Sequence, residues 1–225
     1  MSRGPRQLAL AFGHDQSFAR EDFLAGPSNA AALALIDQWP DWPAKIIALV
    51  GPEGAGKSHL AAIWAAQSGA RFIAGRALDE ASVPAAVATG ALVIEDLADG
   101  SFDERALFHL LNLAREEQAF VLLTTTALPA SFKVGLRDLA SRLREIPAVA
   151  LAPPDDALLR AVLVKLFADR QLAVDESLIS YLTLRLERSF AAARAAVAAL
   201  DREALRRQRP VTRALAGEIF HDEVA

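Results

Sequence analysis

The chain contains no cysteine, which excludes disulfide staples, a thiolate nucleophile and Cys-ligated zinc. That composition suits a reducing cytoplasm. It has a single tyrosine and a single methionine, and only four of its 24 basic residues are lysine. The abundance of Ala and Arg reads as coding bias and carries no functional weight. Long apolar runs are also missing. The longest uncharged stretch, residues 118–132, is about fifteen residues with three Thr and a Pro, short of the ~18 that a spanning helix needs. Arg3 and Arg6 stand near an apolar part too brief for a signal peptide. The expectation is therefore a cytoplasmic protein with no membrane partner. Excess positive charge is lacking too: the net charge of −4 argues against a protein whose main task is to coat nucleic acid.

What is present is enough apolar material for a core. Of 225 residues, 53% are hydrophobic and 23% charged, so the chain is expected to fold as one large domain, or as a core with a small appendage. Ser28 can cap a first helix, whose apolar stripe is Ala32, Leu35, Ile36 and Trp39 before Pro40 and Pro43 stop it. Short apolar runs then recur at 46–50, 71–74, 91–94, 120–124 and 148–151. Helical segments alternate with them at 57–67, 81–88, 103–117 and 136–144. Runs without internal alternation are what strands covered on both faces look like. The fold class is α/β, a parallel sheet flanked by helices. After Pro153-Pro154 the pattern changes, and only helical periods follow, at 156–170, 176–186, 189–207 and 212–221. The expected organisation is a tail over 1–14, an α/β core over 15–153 and a small all-helical lid over 154–225.

The strongest chemical signal is Gly51-Pro52-Glu53-Gly54-Ala55-Gly56-Lys57-Ser58. It satisfies G-x-x-x-x-G-K-[ST], and it follows an apolar run and opens a helix, the context that this phosphate loop requires. Glycines let successive N–H groups turn inward around a phosphate, and the helix N-terminus adds positive potential. Lys57 would reach the outer phosphates of ATP or ADP, and Ser58 would ligate Mg²⁺. Leu92-Val93-Ile94 then runs into Glu95 and Asp96. Glu95 would hold Mg²⁺ through water, and Asp96 could polarise an attacking water. Taken alone, the pair also reads as a strand ending in solvated acids. Phe120-Val121-Leu122-Leu123-Thr124-Thr125-Thr126 ends a further strand in hydroxyls. Thr125 is the expected polar sensor, although β-branched strand propensity accounts for the run equally.

These motifs, in this order and followed by Leu139-Ala140-Ser141-Arg142-Leu143 and a helical appendage, resemble the AAA+ ATPases of the DnaA replication-initiator group. Phe23-Leu24-Ala25-Gly26-Pro27-Ser28-Asn29 and Lys57-Ser58-His59-Leu60 match that family's pattern, as does the stretch from Gly135 to Leu143. The likeness runs from about Gln7 to Phe220. It implies nucleotide contacts from Phe23, Asn29 and His59, and it makes Arg142 an arginine finger directed at a neighbouring subunit's nucleotide. The family's sensor arginine at the start of the third lid helix falls on Ala191; Arg194, one turn on, is the candidate substitute, with Arg188 a weaker one. Weak or absent ATPase activity of its own follows from that departure. Glu95 before Asp96 is a second departure from the more frequent order.

Gln7-Leu8-Ala9-Leu10-Ala11-Phe12 resembles the peptide with which bacterial replication proteins bind the polymerase sliding clamp. Gln7 would hydrogen-bond at the pocket edge, and Leu8, Leu10 and Phe12 would supply apolar anchors. The helix-turn-helix domain and the N-terminal domain of the initiator are not found in these residues. The resemblance thus implies a regulator of initiation that binds the clamp, contacts DNA indirectly through it, and promotes hydrolysis of DnaA-bound ATP, and it leaves room for a homo-oligomer. A helicase loader of the DnaC type is the alternative within the class, and a small P-loop kinase the alternative outside it. His14, His59, His109 and His221 show no metal-ligand spacing, and the basic stretch Arg202, Arg206, Arg207, Arg209 and Arg213 reads as a solvated helix face before a DNA contact.

Overall fold

A computed structural model of the chain describes residues 18–221; residues 7–12, with the clamp-like motif, lie outside them. Five strands form one sheet: β1 (Ile46–Val50), β2 (Arg71–Ala74), β3 (Ala91–Glu95), β4 (Phe120–Thr125) and β5 (Ala148–Ala150). All pairings are parallel and the order across the sheet is β2-β3-β4-β1-β5. The flanking helices are α1 (Ala30–Asp37), α2 (Lys57–Ser68), α3 (Val83–Val87), α4 (Glu104–Glu116) and α5 (Arg137–Arg144).

Each central strand divides its side chains between two cores, which explains its unbroken apolar run. Ile46, Ala48 and Val50 of β1 join Leu92, Ile94, Val121 and Leu123 on one face, together with Leu107, Leu110 and Leu111 of α4. Ile47 and Leu49 join Val93 and Leu122 on the other, against Leu60, Ile63 and Trp64 of α2. Trp42 stacks on Trp64 at 4.9 Å and donates its Nε1–H to the Leu35 carbonyl at 2.7 Å. Two strands depart from the buried expectation. β2 and β5 are partly or largely exposed because they are the edges of the sheet, where the flanking helices cover one neighbour fewer.

Ser28 does not cap α1. Asn29 holds the cap position, and its side chain instead closes the preceding turn: Oδ1 accepts the Gly26 N–H at 2.8 Å and Nδ2 donates to the Leu24 carbonyl at 3.0 Å. The last four helices are α6 (Asp156–Asp169), α7 (Glu176–Arg185), α8 (Phe190–Arg207) and α9 (Arg213–His221). They close around a cluster of their own, with Leu159, Leu163, Phe167, Leu182, Val197 and Leu215 at its centre. Asp155, Asp175 and Ser189 cap α6, α7 and α8 through side-chain oxygens. No helix among the described residues is long and apolar enough to cross a membrane.

Candidate functional site

The phosphate loop leaves the C-terminal end of β1 and is sewn between its neighbours. The Gly51 N–H donates to the Thr125 carbonyl at 3.1 Å, and the Leu151 N–H to the Val50 carbonyl at 2.7 Å. A Cβ on Gly51 would lie 2.5 Å from the Leu151 carbonyl oxygen, so only glycine fits this close approach. Gly54 and Gly56 have φ of +71° and +99°, the left-handed region that an L side chain rarely adopts. α2 starts at Lys57 with no side-chain cap, unlike α4, α6, α7 and α8. Its first N–H groups therefore keep the capacity to bind an anion.

Lys57 is buried. Its Nζ donates to the Gly51 carbonyl at 2.7 Å and the Pro52 carbonyl at 2.8 Å. Burial lowers its pKa, opposed by the nearby charges of Asp96 and Glu53. An ammonium has three donors, so one N–H remains beyond these two bonds. Ser58, in the first turn of α2, is exposed.

The acids follow at the end of β3. Glu95 is half-buried and Asp96 exposed. Asp96 has φ +52°, and its N–H donates to Thr124 Oγ1 at 3.0 Å. The Leu97 N–H donates to the Thr124 carbonyl at 2.9 Å. Thr124 is thus the hydroxyl that holds the acidic turn. The hydroxyl of Thr125, the expected sensor, is bonded locally: it donates to the Ala127 carbonyl at 2.8 Å and accepts the Ala127 N–H at 3.2 Å. Three consecutive threonines hide the strand phase that decides between them, and so the sequence reading missed Thr124.

No group of three or more His, Asp or Glu among the described residues could hold a metal alone. Ser58 and Glu95 would serve Mg²⁺ only together with phosphate oxygens, which is how this ion is usually held.

Beside the loop lies a cavity of about 720 Å³ between the sheet domain and the helical bundle. Phe18, Asp22, Phe23, Gly56 and His59 line one side; Lys165, Phe190, Ala191 and Arg194 are on the other. The His59 ring meets Phe18 and Phe23 edge to face, at 5.4 and 5.1 Å between centroids. Its Nε2 lies 3.1 Å from the Ala19 carbonyl, an acceptor only, so Nε2–H donates. Burial lowers the His59 pKa, and Arg194 lowers it further. This aromatic wall suits the face of a nucleobase. Asn29 is absent from the lining because its side chain is spent on its own turn.

α8 reaches the loop directly. The Phe190 N–H donates to the Gly54 carbonyl at 2.9 Å, and a Cβ on Gly54 would lie 3.0 Å from that of Ala191. The position where an arginine sensor was expected therefore touches the loop with a methyl group only. Arg194 lines the cavity one turn further on and has no ion-pair or hydrogen-bond partner among the described residues. Burial pushes its guanidinium below the usual value. A half-buried cation without a counter-charge among the described residues, facing a cavity, calls for an anionic ligand. Arg188 instead pairs with Asp156 at 2.9 Å.

Arg142, on α5, is not part of this cavity. Its Nη1 lies 3.7 Å from Glu145 Oε2, which also accepts from Arg115 at 2.7 Å, and 37% of its side chain is exposed. Arg115 holds the Glu145 carboxyl below the usual carboxylate range, with a smaller contribution from Arg142. Within the basic stretch near the C-terminus, Arg206 and Arg207 pair with Glu203, and Arg207 and Arg209 with Glu218, while the Arg213 guanidinium lies 5.7 Å from the centre of the Tyr181 ring.

No family model matches the chain, and no curated protein matches it. Solved structures do. Domain III of the Thermotoga maritima replication initiation protein DnaA has a TM-score of 0.75 at 18% identity, covering 91% of this chain and 96% of that one. A replication initiator DnaA bound to AMPPCP and single-stranded DNA has a TM-score of 0.65 at 17% identity, over 85% and 68%. The Thermotoga maritima RuvB Holliday junction branch migration motor has a TM-score of 0.70 at 16% identity, over 90% and 70%. Sheet order, loop and helical bundle together give this chain the fold of DnaA domain III.

Proposed function

We propose that the chain is a nucleotide-dependent regulator of replication initiation, of the Hda type, which makes DnaA-bound ATP turn over. The observation that carries the nucleotide part is the glycine loop closed over buried Lys57, beside a cavity lined by Arg194, which has no ion-pair partner among the described residues. The loop N–H groups and Lys57 hold the phosphates of ADP or ATP, with Mg²⁺ at Ser58 and Glu95. Phe23 and His59 flank the base. Ala191 leaves the loop without an arginine of the usual kind, so turnover in its own site is slow. The catalytic contribution is made in trans. Arg142, on the surface and outside the protein's own cavity, stabilises charge building on a phosphoryl group bound by DnaA. Arginine fingers are worth about 10³–10⁵ in rate in the best-known systems.

The clamp part rests on Gln7, Leu8, Leu10 and Phe12, and delivers the protein to DNA-loaded clamp. One experiment tests both. ATP prebound to DnaA is followed in a single turnover with clamp-loaded DNA and this protein in excess. Arg142→Ala is expected to remove most of the stimulation while leaving nucleotide affinity and clamp binding intact, because a missing transition-state charge lowers rate rather than ground-state binding. Replacing Leu10 and Phe12 by Ala is expected to abolish clamp binding and spare nucleotide binding. Full stimulation by the Arg142 variant removes the finger assignment; unchanged clamp affinity in the tail variant removes the clamp motif.

A further inference from the structure

Two contacts join the walls of the cavity, one near each end. At the loop end the Phe190 N–H donates to the Gly54 carbonyl. At the other end Lys165 of α6 donates to Asp22 Oδ1 at 2.7 Å, joining the helical bundle to a short 3-10 turn (Arg20–Asp22) on the sheet side. Both partners of this pair are about three-quarters buried, at 26% and 25% exposure, so solvent and salt screen it less than an ordinary surface pair.

Each half of the pair is fixed from behind. Lys165 also reaches Asp169 one turn along α6, at 3.0 Å. The turn carrying Asp22 is tied back to the sheet domain twice. Arg20 makes two bonds to Asp37 of α1, at 3.2 and 2.9 Å, and the Ala19 carbonyl accepts from His59 of α2. A continuous link thus runs from α1, across the cavity wall, to α6, and α6 packs on α8. Two carboxylates already neutralise Lys165, so it lacks the unanswered charge that marks Arg194 as an anion contact.

We propose that the Asp22–Lys165 pair is a strap that keeps the helical bundle seated over the cavity, and that it sets how fast a bound nucleotide leaves. The second clause rests on the nucleotide reading; the first does not. Opening the cavity requires the strap to part and the first turn of α8 to lift from Gly54. The Phe190 amide, which donates to the Gly54 carbonyl, is therefore a reporter of the same event.

Asp22→Asn, Lys165→Met and the double variant test this with two measurements. The first is amide hydrogen exchange at Phe190 without added nucleotide, with amides of β1 as the control for global stability. The second is the dissociation rate of a fluorescent N-methylanthraniloyl-ADP. Each single variant is expected to raise both rates about five-fold, as loss of a partly buried ion pair would, and the double variant no more than either single. Exchange at Phe190 unchanged in Asp22→Asn overturns the strap, as do additive effects of the two substitutions. Faster release in Lys165→Met with Asp22→Asn silent also overturns it, because Lys165 would then be a direct ligand contact. Faster Phe190 exchange in a protein that does not bind the ADP analogue upholds the strap and refutes the nucleotide reading.

Discussion

The seat of α8 on the phosphate loop can be tested by adding one carbon atom. In Gly54→Ala the new Cβ would lie 2.8 Å from Ser189 Cβ and 3.0 Å from Ala191 Cβ, closer than side-chain carbons pack. These neighbours cannot easily give way. Ser189 is committed as the cap of α8, accepting the Ala192 N–H at 3.0 Å, and Phe190 between them is bonded to Gly54 itself. Two costs combine. Placing alanine at φ +71° costs about 1 kcal/mol. Overpacking adds about 1–3 kcal/mol unless the bundle lifts, in which case its loop contact is lost instead. Gly90 supplies the control: its φ is +73°, and nothing lies within 4 Å of a Cβ built on it. Gly90→Ala should cost about 1 kcal/mol, the backbone part alone. Urea denaturation of the two variants and the parent gives the difference directly, provided the slopes agree. A Gly54→Ala cost within about 0.5 kcal/mol of the Gly90→Ala cost would mean that α8 does not rest on the loop in solution.

Two further outcomes follow from buried titratable groups. ADP or ATP with Mg²⁺ at about a hundred times its Kd should add about 2.7 kcal/mol of stability and raise Tm; Lys57→Ala should show no such shift at the same concentration, and absence of a shift in the parent removes the nucleotide reading. His59 has a folded-state pKa below its ordinary 6.5, chiefly through burial. Protonation is therefore resisted by the fold, so stability is full above about pH 6.5 and declines as pH falls toward the lower folded value. His59→Gln should flatten that part of the pH profile, measured by urea denaturation, and an unchanged slope would show that the ring is not buried as described.

The sheet was legible because burial on both faces leaves a mark in sequence. Ile46–Val50 and Phe120–Thr125 read as unbroken apolar runs since alternate residues enter different cores. β2 and β5 carried the same mark less truly, because a run of four residues does not reveal that its strand lies at an edge. The phosphate loop was legible for a different reason: its glycines answer to backbone angles and close approaches that few other residues tolerate. Hydroxyl and amide side chains were harder. Thr124 and Thr125 are chemically identical, and only strand phase separates the one holding Asp96 from the one bonded to Ala127. Ser28 and Asn29 compete for one cap, and a turn beginning at Gly26 decides between them. The Asp22–Lys165 pair was invisible for a topological reason, since nothing local in either residue's surroundings points to the other.

α8 is eighteen residues long and rests at its first turn on the glycine loop. At 1.5 Å per residue its far end lies about 27 Å away, so a tilt of ten degrees about that seat would move the far end by about 5 Å. The far end carries Arg206, Arg207 and Glu203, and Arg207 pairs there with Glu218 of α9. The helix is in effect a lever with a short arm at the glycine loop and a long arm at a charged surface. A displacement too slight to alter contacts at the loop becomes, at the other end, a shift on the scale of a whole side chain. A partner that grips the distal surface could sense the state of the loop without approaching it, and could move the loop in return by pulling on that surface.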